Sequence, residues 1–241
     1  MDLGLGNKIA LVTGASRGLG LACAAALAAE GAKLTICARG EDDLRRAQAQ
    51  LAESGAQVLS LVADVTEPRA PAELVAATVE RYGGIDIVVA NAGGPPAGGS
   101  LEVDDDAILA AINANLLTSV RLVRQSVPYM RASGWGRICL ITSVTVKEPA
   151  RSLALSGTAR TGLWAWAKTA AADLAPEGIT LNLACPGGHN TDRNRQLGPT
   201  GRRLGDPADF GKVVTFLCSD AARFVSGTAL AVDGAATAGL L

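Results

Sequence analysis

Aromatic residues are scarce in this 241-residue chain: they make up 3% of it, and only Tyr82 and Tyr129 carry a phenol. Histidine is scarcer still, with His189 alone. Five cysteines (Cys23, Cys37, Cys139, Cys185, Cys218) form no C-x-x-C and have no metal-ligand spacing. No metal is therefore expected, and the thiols read as buried and reduced. Excess charge is missing too: the net is −1, which removes the usual reason to expect nucleic acid or a membrane surface as a partner. No basic stretch followed by an apolar one opens the chain, and no apolar run reaches the ~18 residues of a membrane span. A cytoplasmic protein is the expectation. Linkers, repeats and low-complexity tracts are absent apart from the short loop Gly93–Gly99. The expectation is one α/β domain over residues 1–241, with 49% hydrophobic residues to build its core.

What is present is a regular alternation. Short apolar runs suit strands at Lys8–Thr13, Lys33–Ala38, Gln57–Val62, Ile85–Ala90, Gly136–Thr142, Ile179–Ala184 and Ala229–Val232. Between them fall helical patterns near Leu19–Glu30, Glu41–Ser54, Glu67–Tyr82, Asp104–Ala132, Ser156–Ala175 and Pro207–Ser219. Runs such as Ile138-Cys139-Leu140-Ile141 are apolar throughout, as a parallel sheet covered on both faces requires. The pattern predicts a doubly wound, seven-stranded parallel sheet with helices on both faces. Its site would lie in the loops at the carboxyl ends of the strands.

The first of those loops is Thr13-Gly14-Ala15-Ser16-Arg17-Gly18-Leu19-Gly20, between a strand and an alanine-rich helix. Strand, glycine turn and helix bring backbone N–H groups and a helix N-terminus against a pyrophosphate. A side chain at those glycines would block the turn, the phosphate or the helix–strand contact. The second strand ends Ile36-Cys37-Ala38-Arg39, with no carboxylate until Glu41 to accept from a ribose 2′-OH. Arg39 and Arg17 offer guanidinium forks that suit a 2′-phosphate, although both also read as ordinary surface arginines. NADP(H) is expected over NAD(H).

Asp64-Val65, Asn91-Ala92-Gly93, Asn115, Ser143, Asn182, Pro186-Gly187 with Thr191, and Val232-Asp233-Gly234 follow the glycine turn in order. In that order and spacing the chain resembles the short-chain dehydrogenase/reductase family from Gly6 to Gly234. The tail Arg203-Leu204-Gly205-Asp206-Pro207 through Phe224-Val225-Ser226-Gly227 is most similar to bacterial 3-oxoacyl-[acyl-carrier-protein] reductases. The resemblance implies a single-domain Rossmann fold and reduction of a ketone, possibly a 3-oxoacyl thioester, to an alcohol. Gly14, Gly18 and Gly20 would line the pyrophosphate, and Ser16, Arg17 and Leu19 of the same turn would also contact the cofactor. Asp64 and Val65 would meet the adenine, Asn91 and Gly93 the adenosine side, and Pro186, Gly187 and Thr191 the nicotinamide end. Taken alone, Asp64 and Asn91-Ala92-Gly93 also read as caps or turns. Family members commonly pair two long helices across a two-fold, so a homodimer or homotetramer is expected.

The family's chemistry normally uses Ser, Tyr and Lys, with an Asn completing a water relay. Ser143 and Asn115 match the first and last. The Tyr and Lys positions, thirteen and seventeen residues after Ser143, hold Ser156 and Arg160. Their i, i+4 spacing still sets both on one helix face. A serine hydroxyl is a far weaker acid than a phenol of pKa about 10, whereas Arg160, at the position whose Lys normally also holds the cofactor ribose, keeps the charge without titrating and can still bond the ribose hydroxyls. Three readings stand: an active reductase in which Ser143, Ser156 and Arg160 stabilise the alkoxide while water delivers the proton through Asn115; an enzyme with a substitute acid, for which His189 is the candidate; and an NADP(H)-binding sensor or scaffold with little turnover. Arg193, Arg195, Arg202 and Arg203 read either as a cationic rim for an acyl carrier protein or CoA thioester, or as solvated loop residues. Trp164 and Trp166, two residues apart, cannot share a helix face: one would pack on the sheet and the other could enter a subunit contact.

Overall fold

A computed structural model describes residues 1–198, 201 and 203–239. Its strands are β1 (Ile9–Thr13), β2 (Lys33–Ala38), β3 (Val58–Val62), β4 (Ile87–Ala90), β5 (Gly136–Ile141), β6 (Ile179–Pro186) and β7 (Ala229–Val232). They form one seven-stranded sheet in the order β3-β2-β1-β4-β5-β6-β7, every pair parallel. The winding reverses between β1 and β4, so the crevice opens there at the carboxyl ends of the strands. The expected fold class is the observed one.

Side chains alternate across each strand and divide the core in two. Leu11 and Val88 point to one face, where α3 (Ala70–Tyr82), α5 (Thr118–Ser133) and α6 (Ala154–Leu174) supply Leu74, Leu122, Met130 and Leu163. Ala10, Val12, Ile87 and Val89 point to the other, against α1 (Gly18–Ala29), α2 (Glu41–Glu53) and α8 (Pro207–Leu217). Helix α1 is almost wholly Gly, Ala and Leu because it lies between the sheet and α8. The two helices pack so closely that a Cβ on Gly211 would sit 2.4 Å from the carbonyl oxygen of Ala22.

The expected elements are all present, most with ends shifted by one to three residues, and three of the differences bear on the sheet or the site. Strand β4 begins at Ile87, and just before it the carboxylate of Asp86 accepts from the backbone N–H of Ile9, at 2.8 Å. Strand β6 runs on to Pro186 because β7 pairs with it as far as Pro186↔Val232. The single helix expected over Asp104–Ala132 is divided into α4 (Asp105–Ile112), a π turn at Asn113–Leu117, and α5. Part of this 29-residue stretch is long and apolar enough to cross a membrane, a property that a buried core helix shares. Here it lies along the sheet with Leu122, Val123, Val127 and Met130 buried. A fourth element, the short α7 (Asp192–Gln196), had no counterpart in the sequence reading.

Candidate active site

The glycine turn is built as its sequence requires. Gly14 and Gly18 take φ of +58° and +59°, which other residues rarely adopt. A Cβ on Gly20 would lie 2.3 Å from the carbonyl oxygen of Gly14, so the third glycine lets α1 close on the turn. Arg17 caps α1 in an extended conformation without a side-chain bond to its first N–H groups, and no acid occupies the first turn. Those donors are open to an anion, which is the fit a dinucleotide pyrophosphate needs.

Asn91 braces this turn. Its Nδ2 donates to Gly14 O at 3.0 Å. Its backbone N–H donates to Thr13 Oγ1 at 2.9 Å, and that hydroxyl donates back to Asn91 O at 2.8 Å. The side chain thus holds the glycine turn from beneath, a supporting part that the sequence reading had not separated from cofactor contact. A Cβ on Gly93 would meet nothing within 4 Å, so the chain leaves open space beside it.

The two cations expected to meet a 2′-phosphate lie at the same end of the sheet and are exposed. Arg39 stands 3.9 Å from Asp64, and Arg17 stands 3.5 Å from Asp192. Asp64 Oδ1 accepts from the backbone N–H and the hydroxyl of Thr66 at 3.0 and 2.8 Å. The Thr66 backbone bond, then its hydroxyl and Arg39, outweigh partial burial and hold this carboxyl below its usual pKa. Val65 packs against the core, and its carbonyl accepts from Thr118 Oγ1 at 3.1 Å. Asn113 Nδ2 donates to Thr66 O at 3.0 Å, so the loop after β3 is tied to the π turn that carries Asn115.

At the other end, three elements converge. Ser143 ends the segment after β5, with Oγ accepting from Thr145 N at 3.2 Å. The first turn of α6 lies beside that loop, since a Cβ on Gly157 would be 3.9 Å from Thr145 O. Further along, Gly162 faces Leu116 of the π turn, 3.0 Å from where its Cβ would be. In that turn Thr118 N–H bonds five residues back to Asn113 O. Asn115 is buried there, its Nδ2 3.4 Å from Ala111 O and its Oδ1 without a protein partner among the described residues.

Ser156 is buried and accepts from Arg160 Nη1 at 3.1 Å. Burial, then repulsion from Arg193, brings the Arg160 pKa down to about 10, with Cys185 opposing. It remains a cation at neutral pH. No phenol is near: Tyr82 donates to Leu34 O at 3.1 Å, at the amino end of β2, and Tyr129 lies exposed on α5.

The loop after β6 closes over both ends. Gly187 passes so near Asp233 that a Cβ would be 2.6 Å from that residue's Cβ. Thr191 caps α7, its Oγ1 accepting from Asn194 N at 3.3 Å, and its methyl lies 3.6 Å from where Gly18 would carry a Cβ. Thr191 thus reaches the glycine turn, while Gly187 lies against Asp233. Arg193 turns inward, Nη2 donating to Pro95 O at 2.6 Å, whereas Arg195 turns to Asn190 and Asp192. Arg203 is exposed, and Arg202 lies outside the described residues.

His189 does not face the reacting end. It is 5% exposed, its Nδ1 is 3.2 Å from Gly187 O, and its ring meets Phe210 edge-on at 5.2 Å. Gly205 is in contact with its other side. It is a packing residue, and the substitute-acid reading loses its candidate. Both Trp164 and Trp166 pack against the core beneath α6, with Lys147 over the Trp164 ring at 5.1 Å.

Comparison with known proteins agrees with this architecture. A model of the short chain dehydrogenase family matches residues 8–201. The human protein "Dehydrogenase/reductase SDR family member 4" is 32% identical over 243 residues, covering 95% of this chain and 87% of that one. L-sorbose reductase from Gluconobacter frateurii, solved with NADPH and L-sorbose, superposes with a TM-score of 0.91 at 30% identity, covering 97% of this chain and 98% of that one. A variant of actinorhodin polyketide ketoreductase, solved with NADPH, superposes with a TM-score of 0.89 at 32% identity, covering 95% and 96%. A glycine turn braced across the strand-order switch, matched family residues over most of the chain and relatives at this identity lead to one conclusion: the chain belongs to the short-chain dehydrogenase family of oxidoreductases.

Proposed function

We propose that the chain is an NADP(H)-dependent oxidoreductase that reduces a ketone to an alcohol with an unusual set of polar groups. The observation that carries this reading is the bond from Arg160 Nη1 to Ser156 Oγ. Because the serine oxygen accepts, its own O–H is free to donate elsewhere, and the nearby cation strengthens it as a donor. The family's helix therefore keeps a polarised hydroxyl and a positive charge where a phenol and a lysine usually stand.

The open N-terminus of α1 and the glycine turn would hold the pyrophosphate. Arg39 and Arg17 would hold the 2′-phosphate, and Pro186, Gly187 and Thr191 the ring end. When bound, the reduced nicotinamide supplies a hydride to the carbonyl carbon. Ser143 and Ser156 donate to the carbonyl oxygen as it gains charge, and Arg160 stabilises that charge at short range. The buried Oδ1 of Asn115 needs a donor, since an unmet acceptor at that depth costs about 1–3 kcal/mol. A water bonded there would carry a proton toward the site. Without a phenol, general acid catalysis worth about 10²–10⁴ in rate is reduced, while positioning and charge stabilisation remain. NADPH-bound reductases among the relatives support the cofactor, and the ketoreductase likeness makes 3-oxoacyl thioesters one class of ketone to try.

The test is loss of NADPH absorbance with a panel of ketones, beside NADPH binding by fluorescence. Binding with turnover upholds the reading. Binding with no turnover on any ketone favours the sensor or scaffold alternative. The double variant Ser156→Tyr, Arg160→Lys is expected to lower the parent's rate on its own substrate, because serine and arginine act as a pair; a large gain would show that the site had simply lost its acid.

A further inference from the structure

We propose that Glu148 is a positioning residue: its carboxylate clasps the segment that follows β7, and that segment ties the turn carrying Ser143 to the strand end carrying Pro186 and Gly187. The inference rests on the oxidoreductase reading above and adds the part that keeps its two halves in register.

The order of strands sets the route. Strand β6 lies between β5 and β7, so a segment that leaves β7 for the loop after β5 passes the carboxyl end of β6. Residues 234–238 make that crossing. Their root is fixed to β6: Pro186 pairs with Val232, and Gly187 N–H donates to Val232 O at 3.1 Å. A Cβ on Gly187 would lie 2.6 Å from the Cβ of Asp233, so the two chains touch there. The carboxylate of Asp233 then folds the segment back. Its Oδ1 accepts from Ala235 N–H at 3.1 Å, and its Oδ2 accepts from the N–H and the hydroxyl of Thr237 at 2.8 and 2.5 Å. Ala235 takes φ of +63°, which a residue with a Cβ rarely adopts, so these bonds hold the turn in place.

The far end is held by one side chain. Ala238 N–H donates to Glu148 Oε2 at 2.8 Å, across 90 residues of sequence. Among the described residues no cation lies within 4.0 Å of the Glu148 carboxylate, so its charge is spent on the strap. Glu148 stands one turn from Ser143. Its own N–H donates to Val144 O at 3.0 Å, and Ser143 caps that turn by accepting from Thr145 N–H at 3.2 Å. Lys147 beside it lies over the ring of Trp164, on the helix that carries Ser156 and Arg160. Any displacement of the strap therefore reaches the serine turn and the strand end together. On the reading above, Ser143 donates to the carbonyl oxygen while Pro186 and Gly187 seat the ring that gives the hydride. The strap sets the spacing between them. A charge-assisted bond is the stronger kind of clasp, and a small misplacement of reacting groups costs rate more than stability.

The experiment measures hydrogen exchange in the NADPH-loaded protein, by mass spectrometry of peptides covering residues 143–148 and 186–191. Glu148→Ala is expected to raise exchange in both by about threefold or more, although the substitution lies in only one of them. Glu148→Gln keeps an acceptor oxygen without the charge and should fall between. Thr237→Val, which loosens the strap at its other end, should raise exchange at 143–148 as well. A rise confined to 143–148 in Glu148→Ala, or no rise, overturns the proposal. The second readout is turnover of a ketone that the panel above shows to be reduced. Glu148→Ala should lower kcat by about tenfold and leave KM for NADPH within about twofold, because spacing and not affinity is lost. An unchanged kcat, or a KM that rises as far as kcat falls, overturns the positioning role. If no ketone is reduced, the reductase reading fails and the exchange measurement alone decides the strap.

Discussion

Single residues decide the chemistry of this molecule more than its fold does. Arg39 and Asp64 stand 3.9 Å apart at the adenosine end, so a bound 2′-phosphate competes with a carboxylate for the same guanidinium. Arg39→Ala is therefore expected to weaken NADPH binding by about tenfold, the worth of about 1.4 kcal/mol, and to leave NADH binding nearly unchanged. Titration of both coenzymes by fluorescence measures the difference. Asp64 also sets a pH response. The Thr66 backbone bond, with the Thr66 hydroxyl and Arg39, keeps its folded pKa below the unfolded value of about 3.9. Its ionised form thus stabilises the fold above that value, and the contribution is lost as pH falls through the folded pKa. Acid unfolding monitored by circular dichroism should begin at a higher pH, and from a lower plateau, in Asp64→Ala.

At the scale of elements, the π turn is the part that gives the site its shape. It interrupts what periodicity alone reads as one long helix, because one residue in a wide turn hardly changes an apolar pattern. Its supports are specific: Thr118 Oγ1 donates toward Val65 O at 3.1 Å and Asn113 O at 3.0 Å, and Arg121 Nη1 donates to Asn113 Oδ1 at 2.8 Å. Thr118→Val keeps the volume and removes that hydroxyl from a buried position. A loss of about 1–2 kcal/mol in urea unfolding is expected, together with weaker NADPH binding, because the loop after β3 loses an anchor. The legibility of the sequence follows the same lines. Strands were readable because residues such as Leu11, Val88 and Ile138 are buried from both sides, and the glycine turn because its spacing has a steric cause. Helix α7 was not readable: Asp192-Arg193-Asn194-Arg195-Gln196 has no apolar period, and its one signal is the cap at Thr191. Nor could the sequence show that Arg193 reaches Pro95, ninety-eight residues away, or that His189 meets Phe210.

For the molecule as a whole, six of the exposed apolar residues fall on two faces. Leu109, Leu117 and Tyr129 lie along α4, the π turn and α5, while Phe216, Phe224 and Leu230 lie around α8 and β7. A dimer or tetramer that covers these faces is the expected state, and light scattering at micromolar concentration checks it; a monomer would remove the prediction. The amino ends of the strands are secured independently. Arg137 is buried and bonds to the carbonyls of Gly136, Gly178 and Ser219 and to Asp220, with its guanidinium 4.2 Å from the Trp135 ring. Stability and chemistry thus occupy opposite edges of the sheet, and changes at one edge are expected to leave the other intact.

The reciprocal bonds between Thr13 and Asn91 fasten β1 to β4 where the winding reverses. The outer contact between Arg17 and Asp192, at 3.5 Å and largely exposed, is of another kind. Salt screens such an ion pair and leaves the hydroxyl and amide bonds between the strands intact, so rising ionic strength would loosen the covering of the glycine turn before it loosened the sheet.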